Sequence, residues 1–450
     1  MGTSQTPRGA RPAGTCLIES VERRVLMSGT PVPVNGAAEF QVNVQTAGDQ
    51  GLFGGRSVAA DAQGNFVVTW ANSPIGTARK TIYARRFDAG GAPLGPEIQV
   101  SAPDSALSYP AVAENAGGQF IITWDHSHTS GRTTVYELHA RRYAADGTPQ
   151  GQEFLAGATT ASTSYPEAAI ADDGSSAVAW QRTDTKAKTS DNVYLQRFDA
   201  AGGMRGTEVR VNDYVADEQR VPSLVMDGAG NCLVAWQSYG QDGSDWGVYA
   251  RRYDAAGVAT GGEVRVSEQA AGRQNTPSAA LLPGGGFAVA YNQAPTADLS
   301  ATDVFLRRFD GAAWSPEVRV NTFTAGGQAN PCLAVDASGT ATVIWQSAGQ
   351  DGSKLGMYGQ QYDATGQPLG GEVQLNTYTA EDQSWSGLAA QPGGRFVAAW
   401  TSTGQDGSGQ GVYARLFQQP PAATVFGTTA ISTPFDAGAD VEPITGLVLA

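Results

Sequence analysis

The sequence predicts an all-β protein, a seven-bladed β-propeller of four-stranded antiparallel blades. Three observations lead to this prediction: the composition, a repeat that recurs seven times, and the phase of that repeat relative to the chain ends. With 57 glycines, 23 prolines and only 16% charged residues in 450, the composition is typical of many short strands separated by tight turns.

The repeat is clearest in an aromatic column whose members are 54 to 56 residues apart: Trp70, Trp124, Trp180, Trp236, Tyr291, Trp345 and Trp400. A glycine stands six residues before each of them: Gly64, Gly118, Gly174, Gly230, Gly285, Gly339 and Gly394. Such a glycine supplies the positive φ of a short hairpin turn. The strand that follows is apolar almost throughout, so we expect both of its faces to be buried.

Two further columns define the outer strands of each unit. A second, mostly aromatic column follows 13 to 15 residues after the first: Tyr83, His139, Tyr194, Tyr249, Phe305, Tyr358 and Tyr413. The last strand carries a glutamate: Glu39, Glu97, Glu153, Glu208, Glu263, Glu317 and Glu372. A lone four-stranded meander cannot bury both faces of its middle strands. Radial stacking into a propeller solves this problem.

The phase of the glutamate column predicts how the ring closes. Glu39 precedes the first aromatic column, whereas no glutamate of this column follows Tyr413. Residues 39–43 are therefore expected to supply the outermost strand of the last blade, which removes the exposed sheet edges of an open stack. The predicted organisation is a disordered export-type segment over residues 1–36, the propeller over 37–417 and a poorly ordered tail over 418–450.

Charge and hydropathy exclude several kinds of partner. The formal net charge of −14 argues against nucleic acid, which needs clustered Lys and Arg. No apolar stretch is long enough for a membrane helix, so membrane insertion is not expected. The protein is expected to be a monomer, with Cys232 and Cys332 as buried apolar groups in strands.

The face that carries the second hairpin loop of each blade and the blade-to-blade crossovers has the longer polar loops, which favours it for binding protein or glycan. Candidate binding residues lie in three Gln-Asp-Gly-Ser loops: Gln241, Asp242, Ser244, Gln350, Asp351, Ser353, Gln405, Asp406 and Ser408. Their oxygens suit Ca²⁺. However, each loop offers one carboxylate and Asp-Gly is a common turn dipeptide, so no cofactor is expected.

Two other groups of residues have a functional and a structural interpretation. His126 and His128 are spaced as a transition-metal pair, but no third ligand is evident and packing accounts for His139. The arginine pairs, such as Arg251-Arg252, suit either cross-strand ion pairs with the glutamate column or an anion site. We favour the structural interpretation for both groups.

The repeat resembles one found in large secreted or surface proteins of bacteria, with the pattern Trp-x-Ser-x-Gly-Gln-Asp-Gly-Ser-x-x-Gly-Val-Tyr-Ala-Arg-Arg-Phe-Asp-Ala-x-Gly. Residues 236–257 match it closely. Near the N-terminus, Val21-Glu-Arg-Arg-Val-Leu-Met-Ser28 is similar to the LEPR-XLL segment of exported planctomycete proteins. These resemblances imply an extracellular or cell-surface location and no assigned activity.

Every recurring polar residue has a role in a turn or a ladder, so the sequence favours a non-catalytic binding or scaffold module and not an enzyme. The alternative is a polysaccharide hydrolase or lyase whose site opens at the central axis on the same face. Irregular acidic residues would serve that alternative, for example Asp125, Asp191 or Asp303.

Overall fold

The computed structural model describes residues 29–420 except 53, 55, 78, 105–106, 160, 184–189 and 297–298. This part of the chain forms seven antiparallel sheets arranged as blades, with only two short 3₁₀ helices, Val34–Gly36 and Leu299–Ala301. The predicted all-β, seven-bladed propeller is thereby confirmed. Among the described residues, no helix has the length and apolar character needed to cross a membrane.

The strands are numbered in chain order. The first two are β1 (Val32–Pro33) and β2 (Phe40–Gln41). Blade 1 contains β3 (Asp49–Gly51), β4 (Val58–Ala60), β5 (Phe66–Ser73), β6 (Thr81–Phe87) and β7 (Ile98–Gln99). Blade 2 contains β8 (Leu107–Glu114), β9 (Phe120–Ser130), β10 (Thr133–Tyr143) and β11 (Phe154–Thr159). Blade 3 contains β12 (Thr163–Ile170), β13 (Ser176–Thr183), β14 (Asp191–Phe198) and β15 (Met204–Arg210).

The remaining blades follow the same plan. Blade 4 contains β16 (Gln219–Met226), β17 (Cys232–Tyr239), β18 (Trp246–Tyr253) and β19 (Val264–Arg265). Blade 5 contains β20 (Arg273–Leu281), β21 (Phe287–Ala294), β22 (Asp303–Phe309) and β23 (Val318–Arg319). Blade 6 contains β24 (Gln328–Val335), β25 (Ala341–Ala348), β26 (Leu355–Tyr362) and β27 (Pro368–Gln374). Blade 7 contains β28 (Gln383–Gln391), β29 (Arg395–Thr403) and β30 (Gln410–Gln418).

The first strand of each blade lies innermost, and in blade 1 it consists of two segments, β3 and β4, which both pair with β5. These strands contact one another in blade order from β4 through β8, β12, β16, β20 and β24 to β28, and β28 contacts β4. The contact between the last and the first blade closes the ring. It leaves a central axis lined by seven strands.

Blade 7 is completed from the N-terminal side of the chain, as the repeat phase predicts. Strand β2 pairs antiparallel with β30, with Phe40 opposite Ala414. Strand β1 also pairs with β30, with Val32 opposite Gln418, so pairing begins before the predicted boundary at residue 37. The LEPR-XLL-like residues 21–28, the rest of the segment before Gly29 and the tail from residue 421 lie outside the described residues.

The recurring columns occupy equivalent places in the blades. All seven members of the first aromatic column are at most 1% exposed, and five of them stack on the second column with ring centroids 5.6 to 6.5 Å apart. The seven turn glycines have φ between 75° and 95°, which the missing Cβ permits. These columns form the core between neighbouring sheets.

The arginine pairs link blades to one another, which differs from the cross-strand role favoured by the sequence. Arg251 Nη1 donates to the Val211 carbonyl of the preceding blade at 2.9 Å, and Arg252 Nη2 donates to the Gly285 carbonyl of the following blade at 3.0 Å. The first of these contacts recurs from Arg85 to Val42, Arg141 to Val100, Arg307 to Val266 and Arg415 to Leu375. The pairs therefore hold the ring together.

Candidate functional site

The central axis contains a cavity of about 90 Å³ lined by residues of all seven blades. It lies near the start of the innermost strands. In an antiparallel blade these strand starts share a face with the second hairpin loop and the crossover. The cavity therefore opens on the long-loop face that the sequence favours for ligand binding.

Six non-glycine residues around this cavity have a left-handed backbone, with φ between 47° and 55°: Tyr109, Tyr165, Val221, Thr276, Asn330 and Trp385. Each belongs to a β-bulge in an innermost strand. Five of the six precede a proline. Positive φ is costly for β-branched and bulky residues, and such strain is often found at ligand sites.

Two charged residues occupy repeat positions where the other blades have none. Arg56 of blade 1 stands in the column that is proline in five blades: Pro110, Pro166, Pro222, Pro277 and Pro331. Glu167 of blade 3 stands in the next column, where the other blades have small residues: Ser57, Ala111, Ser223, Ser278, Cys332 and Gly387. Both residues line the axial cavity.

Arg56 lies two residues before β4 in the innermost part of blade 1, and its side chain extends across the axis. The Arg56 side chain reaches blade 3, where its Nε lies 3.3 Å from Glu167 Oε2. It also reaches blade 5, where Nη2 donates to the Ala279 carbonyl at 2.8 Å.

Burial raises the pKa of Glu167 to about 8, against the opposing effects of Arg56 and of a hydrogen bond from the Leu224 amide. The side chain is only 14% exposed and lines the cavity. Its Oε2 accepts no hydrogen bond. Glu167 is therefore a buried carboxyl group that titrates near neutral pH, as expected for a general acid or base.

Aromatic side chains complete the mouth of the cavity. The rings of Tyr109 and Tyr165 have centroids 4.4 Å apart. Burial, and to a smaller extent the hydrogen bond to Tyr165, raises the pKa of Tyr109 above its usual range, so its hydroxyl stays protonated. Trp385 is 43% exposed, which is unusual for a tryptophan in this protein. The exposed face of Trp385 at the mouth of the cavity is suited to contact with an apolar face of a ligand.

A second cavity lies at the opposite end of the axis and shares only Arg56 with the first. Glu114 lines this second cavity. Burial raises the pKa of Glu114 well above its usual range. Arg56 therefore separates two axial cavities, each with one buried carboxyl group.

The predicted binding residues lie in three separate loops of blades 4, 6 and 7, away from the axial cavity lining. The glutamines donate to the glutamate column: Gln241 to Glu263, Gln350 to Glu372 and Gln405 to Glu39. The aspartates accept from the serine amides two residues later: Asp242 from Ser244, Asp351 from Ser353 and Asp406 from Ser408. These bonds stabilise the loops, and a ligand role for the nine residues stays a prediction.

The three irregular acidic residues have different surroundings. Burial raises the pKa of Asp125 to about 7. The negative charge of Asp125 in turn raises the pKa of Tyr109 at the cavity mouth. Asp191 pairs with Arg220 through an Oδ2 to Nε contact of 2.5 Å. Asp303 accepts from Asn321 Nδ2 at 2.6 Å. None of these three residues lines the axial cavity.

Arg56 and Glu167 belong to no recurring column, so the repeat pattern does not point to them. The sequence signal that does mark them is a charged residue within a column of prolines or small residues. Their pairing across blades 1 and 3 is a property of the closed ring and has no counterpart in sequence spacing.

Comparisons with known proteins support the fold. No family model and no curated protein matches the chain. The structure is similar to that of a Dyadobacter fermentans protein of unknown function, with 10% identity, 87% of this chain and 99% of that one covered, and a TM-score of 0.51. It is also similar to a PL25 ulvan lyase bound to -[GlcA(1-4)Rha3S]-, with 12% identity, 84% and 96% covered, and a TM-score of 0.54.

The sequence-based conclusion that this protein is not an enzyme is corrected here, because a polysaccharide lyase has the same fold. That conclusion depended on the absence of a recurring catalytic motif, and the lyase uses the same fold. A propeller site is built from residues that differ between blades, so regular repeats do not exclude catalysis.

Proposed function

We propose that the protein is a polysaccharide-acting enzyme whose site is the axial cavity on the long-loop face. The observation that carries this proposal is the Arg56–Glu167 pair, in which two charges outside the repeat pattern meet in a strained, aromatic-lined cavity. The PL25 lyase fold supports a carbohydrate substrate for such a site. At about 90 Å³ the cavity is smaller than ordinary ligand pockets, so it accommodates one substituent of a longer chain.

The residues favour elimination over hydrolysis. Most glycoside hydrolases need two carboxyl groups on either side of the scissile bond. Among the described residues that line this cavity, Glu167 is the only carboxylic acid. One carboxyl group, one arginine and a tyrosine hydroxyl instead suit a lyase that acts on a uronic-acid unit.

Each residue has a role in that reaction. Arg56 binds the sugar carboxylate and stabilises the negative charge that develops there when the neighbouring C–H bond breaks. The ionised Glu167 accepts this proton. The Tyr109 hydroxyl, which stays protonated, donates to the glycosidic oxygen as its bond to carbon breaks. A carbon–carbon double bond forms in the sugar, and no water is consumed.

The negatively charged group that pairs with Arg56 changes during this step. Before proton transfer it faces the Glu167 carboxylate, and afterwards Glu167 is neutral and the enolate carries the charge. The ionised fraction of Glu167 increases with pH through about 8. The rate is therefore expected to rise with pH over that range.

The test uses the full chain with a panel of neutral and uronic-acid polysaccharides. Elimination produces both new reducing ends and an ultraviolet-absorbing unsaturated sugar, whereas hydrolysis produces only reducing ends. Glu167→Gln is expected to lower kcat by roughly 10²-fold or more. Glu114→Gln, which removes a buried carboxyl at the opposite end of the axis, is the matched control and is expected to retain activity.

Three results would overturn the proposal: no product from any polysaccharide, reducing ends alone, or equal activity of Glu167→Gln and the wild type.

We also propose, from the two sequence resemblances, that the protein acts outside the cell. The three Gln-Asp-Gly-Ser loops would then contact the polymer beyond the cavity. Secretion of the full chain, measured as enzyme in the culture medium, tests the location.

A further inference from the structure

A second cluster of polar side chains lies on the hairpin of β9 and β10 in blade 2. It contains His126, His128 and His139, which are the only histidines of the 450-residue chain. These two strands have eleven residues each, whereas the corresponding strands of the other blades have seven to nine. Blade 2 thus differs from the other blades in length as well as in composition.

The strand register brings the cluster together. His126 on β9 is opposite Glu137 on β10. His128 and His139 are each two residues from one member of that pair, and residues two apart point to the same side of a strand. All four side chains therefore lie on one face of the hairpin, which supplies the third ligand that the sequence analysis did not find.

The distances centre on one carboxylate oxygen. Glu137 Oε2 lies 3.1 Å from His126 Nδ1 and 3.1 Å from His139 Nε2. Suitable ligand atoms of these three residues all lie within 4.8 Å of one another. Ligands that bind zinc tetrahedrally at 2.0–2.1 Å are about 3.4 Å apart, so modest adjustments of the side chains would accommodate the ion.

The outer nitrogens of both imidazoles face further carboxylates. His139 Nδ1 lies 2.6 Å from Glu153 Oε1, and His126 Nε2 lies 3.5 Å from Asp104 Oδ2. Metal-binding histidines usually donate their other N–H to such a group, which fixes the tautomer and the ring orientation. The cluster therefore has both the inner ligands and the outer carboxylates of a metal site.

We propose that His126, Glu137 and His139 bind a divalent transition metal ion, with Zn²⁺ as the best fit to two imidazoles and one carboxylate. Three protein ligands leave a fourth position for water, as in catalytic zinc sites. The Nδ1 atom of His128, whose side chain is 42% exposed, lies 3.5 Å from the same Glu137 Oε2. The site is separate from Arg56 and Glu167, and its test does not depend on any polysaccharide activity.

The test measures metal binding by the full chain without an affinity tag, because a polyhistidine tag would itself bind the ion. Zn²⁺ calorimetry is expected to give one site per chain with micromolar or tighter affinity. Co²⁺ titration is expected to give the visible absorption of a four- or five-coordinate ion, which Zn²⁺ abolishes by competition.

Variants identify the ligands. Glu137→Gln and His126→Ala are expected to lose at least about 100-fold in affinity, and Glu153→Gln about 10- to 100-fold, as is usual for outer carboxylates. Glu97→Gln, which changes the glutamate equivalent to Glu153 in blade 1 and lies outside the cluster, is the matched control and is expected to stay within about 3-fold of the wild type. Circular dichroism and the melting temperature without metal establish that each variant is folded.

Absence of Zn²⁺ binding by the wild type would overturn the site, as would wild-type affinity of folded Glu137→Gln and His126→Ala proteins.

Discussion

The closure of the ring by the N-terminal strand can be measured with a single substitution, Val42→Ala. Val42 is fully buried among Val412, Ala414 and Leu416 of β30, and its amide donates to the Val412 carbonyl at 2.8 Å. The substitution removes two buried carbon atoms, worth about 1.6 kcal/mol at about 0.8 kcal/mol each. With the cavity left behind, we expect a loss of about 2 kcal/mol in the free energy of unfolding.

The propeller offers its own controls for this experiment. Val266 occupies the equivalent position in blade 4, where it is fully buried and its amide donates to Val248 at 2.7 Å. Val266→Ala should therefore match Val42→Ala. Val44, two residues further along the N-terminal segment, is 63% exposed, so Val44→Ala should change stability by less than about 0.5 kcal/mol.

Urea unfolding, monitored by tryptophan fluorescence, compares the free energies of unfolding of the three variants. The dependence of this free energy on urea concentration is expected to be the same for all three. The closure argument fails if Val42→Ala is as harmless as Val44→Ala while Val266→Ala is destabilising.

Three further predictions follow from buried groups. The pKa of Glu167 is raised to about 8, so folding favours its protonated form and the free energy of unfolding should fall as pH rises from about 5 to 9. In urea titrations, a Glu167→Gln variant should show a weaker dependence of this free energy on pH. An unchanged pH dependence would contradict the burial of Glu167. Arg251→Ala removes a bond between blades and should cost about 1–2 kcal/mol, whereas Arg265→Ala, on an exposed outer strand, should cost much less. Burial raises the pKa of Cys232 and of Cys332 to about 11. Neither thiol should therefore react with a thiol-specific reagent until the protein is unfolded. Rapid labelling of either residue in the native protein would show that it is not buried.

Much of the fold is readable from residues that recur at a fixed spacing. The tryptophan column, the turn glycines and the offset glutamate column predict seven blades and the pairing of residues 39–43 with the last blade. They succeed because each blade solves the same packing problem, so the same residue types return at the same positions. The arginine pairs were misread because a column fixes a position along a strand and does not specify which neighbouring blade the side chain reaches.

The candidate sites depend on departures from the repeat. The histidine cluster follows from the register of one hairpin. It can be predicted from the sequence once His126 is placed opposite Glu137. The Arg56–Glu167 pair cannot be predicted in this way, since its members are more than a hundred residues apart and belong to blades that are not adjacent.

The sequence by itself determined the number of blades, the order of their strands and the way the ring closes, because these depend on local periodicity and on turns. Only the tertiary structure decided which side chains meet at the central axis and how far water is excluded from them. Proximity across a closed ring and the pKa of a buried carboxyl arise from the three-dimensional arrangement of all seven blades, which no single repeat encodes.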